Sequence, residues 1–257
     1  MSRLAGQTVL VSGASSGIGA ACAELLAPLG VRLILLARRM AKLQVVADRC
    51  TATGAAPDHL LLIEWDVRQP FGLDQLPVDW RSIDILINNA GLSRGLSKLP
   101  AGEVADWEEM IDTNIKGLLY LTRAITPGMI ERGRGHVVNL GSIAGRQTYP
   151  AGNVYCATKA AVRAISEGLK IDLLGTPVRV TNIDPGMVET EFSAVRFHGD
   201  WEKADRVYQG LIPLTGMDVA ETILFALTRP AHVNISDILL MPTAQATATL
   251  VDRKVSP

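Results

Sequence analysis

Seven short runs of branched, apolar residues recur along this chain, at 8–12, 32–37, 60–65, 83–88, 136–140, 178–183 and 238–241. Each is too short for a buried helix and too uniformly apolar for a strand with one wet face, so each predicts a strand covered on both sides. Between them lie stretches of helical spacing at 18–29, 40–49, 114–132, 154–174 and 218–228. Strand and helix alternate, and right-handed crossovers then build a parallel sheet with helices on both faces. No linker, repeat or charge block interrupts the order, which predicts one domain over residues 1–257. Residues 189–216 break the rhythm with Phe192, Arg196, Phe197, Trp201 and Tyr208 and no strand. A long connection of that kind after a strand is where an α/β sheet carries a substrate lid.

Charge and cysteine content exclude several functions. With 25 Lys and Arg against 26 Asp and Glu, the net charge of −1 offers no field to gather nucleic acid or anionic lipid, so neither is expected as a partner. The apolar runs fall far short of the ~20 residues of a membrane span, and the N-terminus has no secretory leader pattern. Cys22, Cys50 and Cys156 form no Cys-x-x-Cys pair, and His59, His136, His198 and His232 lack ligand spacing, so no metal site is expected. An odd number of unpaired thiols fits a reducing cytoplasm. Cys156 reads as a small buried thiol, not a nucleophile.

The first run enters Ser12-Gly13-Ala14-Ser15-Ser16-Gly17-Ile18-Gly19 and then an Ala-rich helix. Glycine removes the Cβ where backbone must approach a pyrophosphate, and a helix N-terminus offers free N–H groups to its charge. Gly13, Ser15, Ser16, Gly17, Ile18 and Gly19 are therefore candidates to face a dinucleotide. No Lys-Ser/Thr pair follows Gly19, which disfavours a triphosphate loop. At the end of the second run a carboxylate would accept a ribose 2′-hydroxyl, whereas Arg38 and Arg39 suit a 2′-phosphate and point to NADP. The same pair also reads as a solvated start to the next helix. Asp66 is placed to accept from an adenine amino group, with Val67 against the ring; it reads equally as a helix cap.

Tyr155 and Lys159 stand four residues apart on a predicted helix, so phenol and ammonium project from one face. A fixed cation nearby stabilises phenolate and lowers a tyrosine pKa from about 10, which makes the phenol an acid/base. Ser142, after the fifth run, is placed to hold a substrate oxygen beside that phenol. Asn114 is placed to anchor a water that passes the proton on from Lys159. No Ser/His/acid arrangement competes. Asn89, Ala90 and Gly91 follow the fourth run, where the same crevice would gather them.

In order and spacing, Gly13–Gly19, Asp66, Asn88–Gly91, Asn114, Ser142, Tyr155, Lys159 and the stretch Pro185-Gly186-Met187-Val188-Glu189-Thr190 resemble the classical short-chain dehydrogenase/reductase family. Ser12 stands for the usual threonine and keeps its hydroxyl. The resemblance implies a Rossmann-type doubly wound sheet of seven strands, usually in a homotetramer, with Asn114, Ser142, Tyr155 and Lys159 as catalytic tetrad. It further implies that Lys159 binds the nicotinamide ribose, while Thr190 and the backbone near Pro185, Gly186 and Val188 hold the carboxamide. Within the family, the stretches 106–114, 152–155, 195–200 and 230–235 look closest to NADP(H)-dependent 3-hydroxy acid dehydrogenases, those of serine and allo-threonine included. A 3-hydroxy acid such as serine, allo-threonine or 3-hydroxyisobutyrate needs a cation for its carboxylate. Arg196 in the lid is the first candidate, with Arg146 and Arg94 as alternatives. Gln147 either contacts a polar substituent or faces solvent. Competing readings are a broad carbonyl reductase with the same catalytic residues and a non-enzymatic NADP-binding sensor. The latter has no need of a matched acid/base pair.

Overall fold

The computed structural model describes residues 3–253; residues 1, 2 and 254–257 of the predicted domain lie outside them. Seven parallel strands form one sheet in the order β3-β2-β1-β4-β5-β6-β7, with β1 at Thr8–Ser12, β2 at Arg32–Ala37, β3 at Leu60–Glu64, β4 at Ile85–Asn88, β5 at Gly135–Leu140, β6 at Val178–Pro185 and β7 at Asp237–Leu240. The order reverses between β1 and β4, which opens a crevice at their carboxyl ends. The fold is thus the parallel, helix-covered sheet that the alternation predicts, in the doubly wound Rossmann form that the resemblance implies.

Side-chain alternation divides the strands between two cores, except at the edge strand β7, where Ile238 and Leu240 pack on the first core and Leu239 is exposed, so the expected cover on both sides fails there. Val9, Val11, Leu33, Leu35, Ile85 and Ile87 pack with α1 (Gly17–Leu26), α2 (Met40–Ala52) and α8 (Gly216–Leu227). Leu10, Ile34, Leu36, Leu86, Val137 and Val180 face the other way, against Leu121, Ile125 and Met129 of α4 (Gly117–Glu131) and against Trp80. Residues one apart on a strand therefore serve opposite layers, and a one-residue slip would put every core residue on the wrong helix layer.

Two predicted helices differ in detail. The stretch 18–29 is helical only to Leu26, followed by a 3-10 turn over Ala27–Leu29, because Pro28 has no N–H to continue the ladder. The stretch 114–132 is joined by an upstream helix, α3 (Val104–Ile111), and a π-helical turn over Asp112–Lys116 precedes α4. A wide turn of this kind redirects side chains without ending the helix. It buries Thr113 and Asn114. Residues 189–216 carry α6 (Phe192–Arg196) and α7 (Trp201–Arg206), and a bridge pairs Val188 with Leu214. α5 spans Asn153–Asp172.

His136 sits inside the sheet, 2% exposed, with Nε2 2.8 Å from Thr181 Oγ1. Burial, helped by the Arg179 guanidinium, pushes its pKa down to about 3. The folded ring stays neutral while the unfolded chain takes up a proton below about pH 6.5. Stability from this site is complete above that pH and is lost as pH falls toward 3, by at most about 1.4 kcal/mol per pH unit. The expected result is that His136→Gln unfolds in urea with a flatter acid dependence between pH 6 and 4 than the parent chain. Parallel curves would assign the acid sensitivity to carboxylates alone.

Candidate active site

The crevice at the switch point is a cleft of about 300 Å³ running from the glycine turn to Tyr155. Gly13 has φ +66°, and a Cβ there would stand 2.9 Å from the Ala90 Cα; a Cβ on Gly19 would stand 2.5 Å from the Gly13 carbonyl oxygen. Both positions need glycine because two turns close on each other here. Asn89 Nδ2 donates to the carbonyls of Ser12 (2.9 Å) and Gly13 (3.2 Å), while Ser12 Oγ accepts from the amides of Asn89 and Ala90 at 3.1 and 3.0 Å. The Ser12 hydroxyl thus ties the glycine turn to the loop after β4. Ser16 at the N-cap of α1 makes no side-chain cap bond, and the first turn holds no acid. The N–H groups of that turn therefore face the cleft with the positive end of the helix dipole, a seat for an anion. Gly13, Ser15, Ser16, Gly17, Ile18, Arg38, Arg39, Asp66, Val67, Asn89, Ala90, Gly91, Pro185, Gly186, Val188 and Thr190 all line the cleft with Ser142, Tyr155 and Lys159. Gly19 lies behind the turn, where it lets α1 approach. A bare-backbone turn, an anion seat and paired arginines along one cleft fit a phosphorylated dinucleotide.

At the far end Tyr155 and Lys159 project from α5 and are 7% and 6% exposed. Lys159 Nζ donates to the Leu140 carbonyl at 2.7 Å and lies 6.0 Å from the centre of the Tyr155 ring. Burial brings its pKa down to about 8, with Asp184 opposing. Burial likewise raises the Tyr155 pKa, assisted by Tyr149, while the Arg196 guanidinium and a hydrogen bond from Ser142 oppose it. Arg196 stands 5.3 Å from the Tyr155 ring and 5.1 Å from the Phe192 ring. Two cations thus stand near the phenol, Lys159 as expected and, not foreseen, Arg196, whose guanidinium opposes the rise of the Tyr155 pKa. Lys159 is held by Leu140, at the sheet end.

Asn114 is held by three hydrogen bonds. Its Nδ2 donates to the Leu92 carbonyl (2.8 Å) and Thr158 Oγ1 (3.0 Å), and its Oδ1 accepts from the Leu92 amide at 2.8 Å. Both amide hydrogens are therefore engaged in tying the loop after β4 to α5, so the side chain braces the site, and a water anchored there would donate to an oxygen of Asn114. Asp66 caps no helix, because none begins there. Its carboxylate is gripped by Arg68, through Nε at 2.9 Å and Nη2 at 2.6 Å. Among the described residues no cluster of three His, Cys, Asp or Glu can hold a metal.

Residues 7–201 match the sequence model of the short chain dehydrogenase family. The chain belongs to that family. Among the most similar short chain dehydrogenases are the NADP-dependent 3-hydroxy acid dehydrogenase YdfG of Escherichia coli K12, 47% identical over 94% of this chain and 97% of that protein, and sulfoacetaldehyde reductase 2 of Chromohalobacter salexigens, 45% identical over 95% and 98%. The closed form of serine dehydrogenase complexed with NADP+ superposes with a TM-score of 0.89 at 46% identity, covering 97% of this chain and all of the other.

In this short chain dehydrogenase the three candidate arginines are not equivalent. Arg94 is bound to Glu109, with Nε to Oε2 at 2.6 Å, and donates to the Val195 carbonyl. Arg146 is paired with Asp184 at 2.7 Å and with Asp237. Both charges are already neutralised, so both alternatives fall away. Arg196 Nη2 donates to Tyr149 Oη at 2.8 Å, and its buried Nε has no partner among the described residues. No carboxylate of the described residues lies within ion-pair reach of it. Gln147 is exposed and accepts from the Ala248 amide at 2.9 Å, outside the cleft lining. The sequence reading missed Tyr149 and Asp184. Asp184, fully buried, accepts from the Ser142 amide at 2.9 Å and so fixes the turn that presents the Ser142 hydroxyl. An acid at the buried carboxyl end of a strand was the signal for it.

Proposed function

We propose that the protein is an NADP(H)-dependent dehydrogenase of small 3-hydroxy acids, with Asn114, Ser142, Tyr155 and Lys159 as its catalytic group and residues 189–216 as a substrate lid. The single observation that carries the substrate class is Arg196, a cation over the Tyr155 ring with no carboxylate partner among the described residues. The carboxylate of a hydroxy acid satisfies it. The relatives named above act on substrates with a carboxylate or a sulfonate, which supports an anion at this position.

Nicotinamide, when bound, supplies the hydride acceptor for oxidation and the donor for reduction. Ser142 Oγ steadies the substrate oxygen, and Tyr155 Oη takes the hydroxyl proton as phenolate or returns it as phenol. Arg196 holds the acid group and, by the same charge, favours the phenolate. Lys159, cationic below about pH 8, faces the ribose end of the site. Arg38 and Arg39 would hold the 2′-phosphate, with Ser15 and Ser16 beside them, and Thr190 with the backbone at Gly186 and Val188 would hold the carboxamide; all line the cleft. Phe192 and Val195 of the lid line the cleft beside Tyr155 and shed water from it.

Among the described residues no helix is long and apolar enough to cross a membrane. Three free buried thiols support a reducing cytoplasm. Exposed Leu119, Ile130 and Ile171 on α4 and α5 support self-association, which we read as the family's homotetramer.

The test is an absorbance assay at 340 nm with saturating NADP+ or NAD+ across serine, allo-threonine, 3-hydroxyisobutyrate, a 2-hydroxysulfonate and neutral secondary alcohols. Preference for the anionic alcohols with NADP+ is expected. Equal rates with neutral alcohols would favour a broad carbonyl reductase, and faster turnover with NAD+ would remove the roles of Arg38 and Arg39.

A further inference from the structure

At the adenosine end, the two arginines divide. Arg38 Nη1 lies 3.8 Å from Glu109, already held by Arg94, whereas Arg39 Nη2 lies 3.2 Å from both Ser15 Oγ and Ser16 Oγ and 3.0 Å from Glu191 Oε2. The other Glu191 oxygen accepts from Lys42 Nζ. Two cations therefore converge on one carboxylate, while the Ser15 and Ser16 hydroxyls accept from the same Arg39 nitrogen; the carboxylate comes from the lid, 152 residues beyond Arg39 in sequence. Burial pushes the Glu191 pKa up, but the Lys42 and Arg39 hydrogen bonds outweigh it and hold the carboxyl below its usual range. Lys42 lies in the first turn of α2, which holds no acid, so the helix N-terminus adds to the positive potential. These are the donors a phosphate selects, and Arg39, Ser15, Ser16 and Glu191 all line the cleft.

Building on the NADP reading, we propose that Glu191 is an internal competitor for the 2′-phosphate subsite and that Lys42 is a further cation of that subsite. A ribose 2′-phosphate brings up to two negative charges to the donors that Glu191 holds, so the carboxylate must yield Arg39 and Lys42 to it. Exchange of one anion for the other also unties the lid from the β2–α2 corner. The cofactor's phosphate thereby acts on the segment that covers the substrate. An NAD+ ribose makes no such exchange, because its hydroxyl carries no charge to displace a carboxylate. Glu191 thus costs NADP+ some affinity in return for coupling its arrival to the lid.

Glu191→Gln and Lys42→Gln shift NADP+ affinity in opposite directions. By fluorescence titration or calorimetry, Glu191→Gln should tighten NADP+ about fivefold, the scale of a half-exposed ion pair, with a much smaller change for NAD+. Lys42→Gln should weaken NADP+ by a similar factor. Adenosine 2′-monophosphate reads the subsite directly and should follow NADP+ in both variants, whatever the nicotinamide half does. Weaker or unchanged binding of NADP+ and of this probe by Glu191→Gln, or equal shifts for NADP+ and NAD+, would overturn the proposal. Failure of the parent enzyme to prefer NADP+ over NAD+ would instead overturn the cofactor reading, and the monophosphate titration would still decide the role of Glu191. Thermal melting of both variants checks that the exposed corner still folds.

Discussion

Tyr155→Phe is expected to lower kcat by about 10³-fold or more, the upper range for loss of a positioned acid/base, while NADP+ still binds. The variant deletes one oxygen. The Phe ring keeps the packing of Tyr155 on Phe192, 5.5 Å away, and leaves the Arg196 guanidinium its aromatic face. Loss of fold therefore does not explain loss of rate, and circular dichroism with NADP+ titration confirms both points. Within the cleft no other group replaces the phenol. Cys156 is buried, and burial raises its thiol pKa; Lys159 is committed to the Leu140 carbonyl. Ser142 has an ordinary hydroxyl and no histidine to activate it. Single-turnover reduction of NADP+ measures the chemical step apart from product release. A Phe variant within tenfold of the parent in that measurement would transfer the proton to another group and end the Tyr155 assignment.

What the sequence shows of this molecule follows the range of the interactions. The central strands β1, β2 and β4 are legible because burial on both faces leaves nearly unbroken apolar runs, and every observed strand overlaps its predicted run, the half-buried edge strands β3 and β7 included. The glycine turn is legible because the backbone demand at Gly13 and Gly19 falls on residue type alone. The turn over Asp112–Lys116 leaves no such mark, since a π turn inserts one residue without changing composition. Choices among like residues are also hidden. Arg94, Arg146 and Arg196 look alike in sequence, and what separates them is Glu109 and Asp184, acids 15 and 38 residues from their partners. The same holds for Tyr149, which reaches Arg196 across 47 residues. Local pattern gives the scaffold and its motifs; which charge remains available in the cleft depends on long-range pairing.

That available charge sets the second large effect. Arg196→Ala is expected to raise KM for a 3-hydroxy acid by about 10- to 100-fold, the size of one charge-assisted hydrogen-bonded pair, and to leave KM for a neutral secondary alcohol nearly unmoved. A second consequence distinguishes this role from simple packing. Oxidation uses the phenolate, and Arg196 is the cation that opposes the rise of the Tyr155 pKa. Removing it lets burial push that pKa higher, so the alkaline rise of kcat/KM for oxidation should move to higher pH, even with the neutral alcohol. Arg196→Lys keeps the charge but loses the planar fork that bonds Tyr149 Oη, so it should restore the pH profile more fully than KM. The three responses separate because carboxylate binding needs direction while phenolate stabilisation needs only charge. An Arg196→Ala enzyme with unchanged KM for hydroxy acids would remove this arginine from the substrate site. An unchanged pH profile would assign the tuning of Tyr155 to Lys159 alone, at 6.0 Å from the ring.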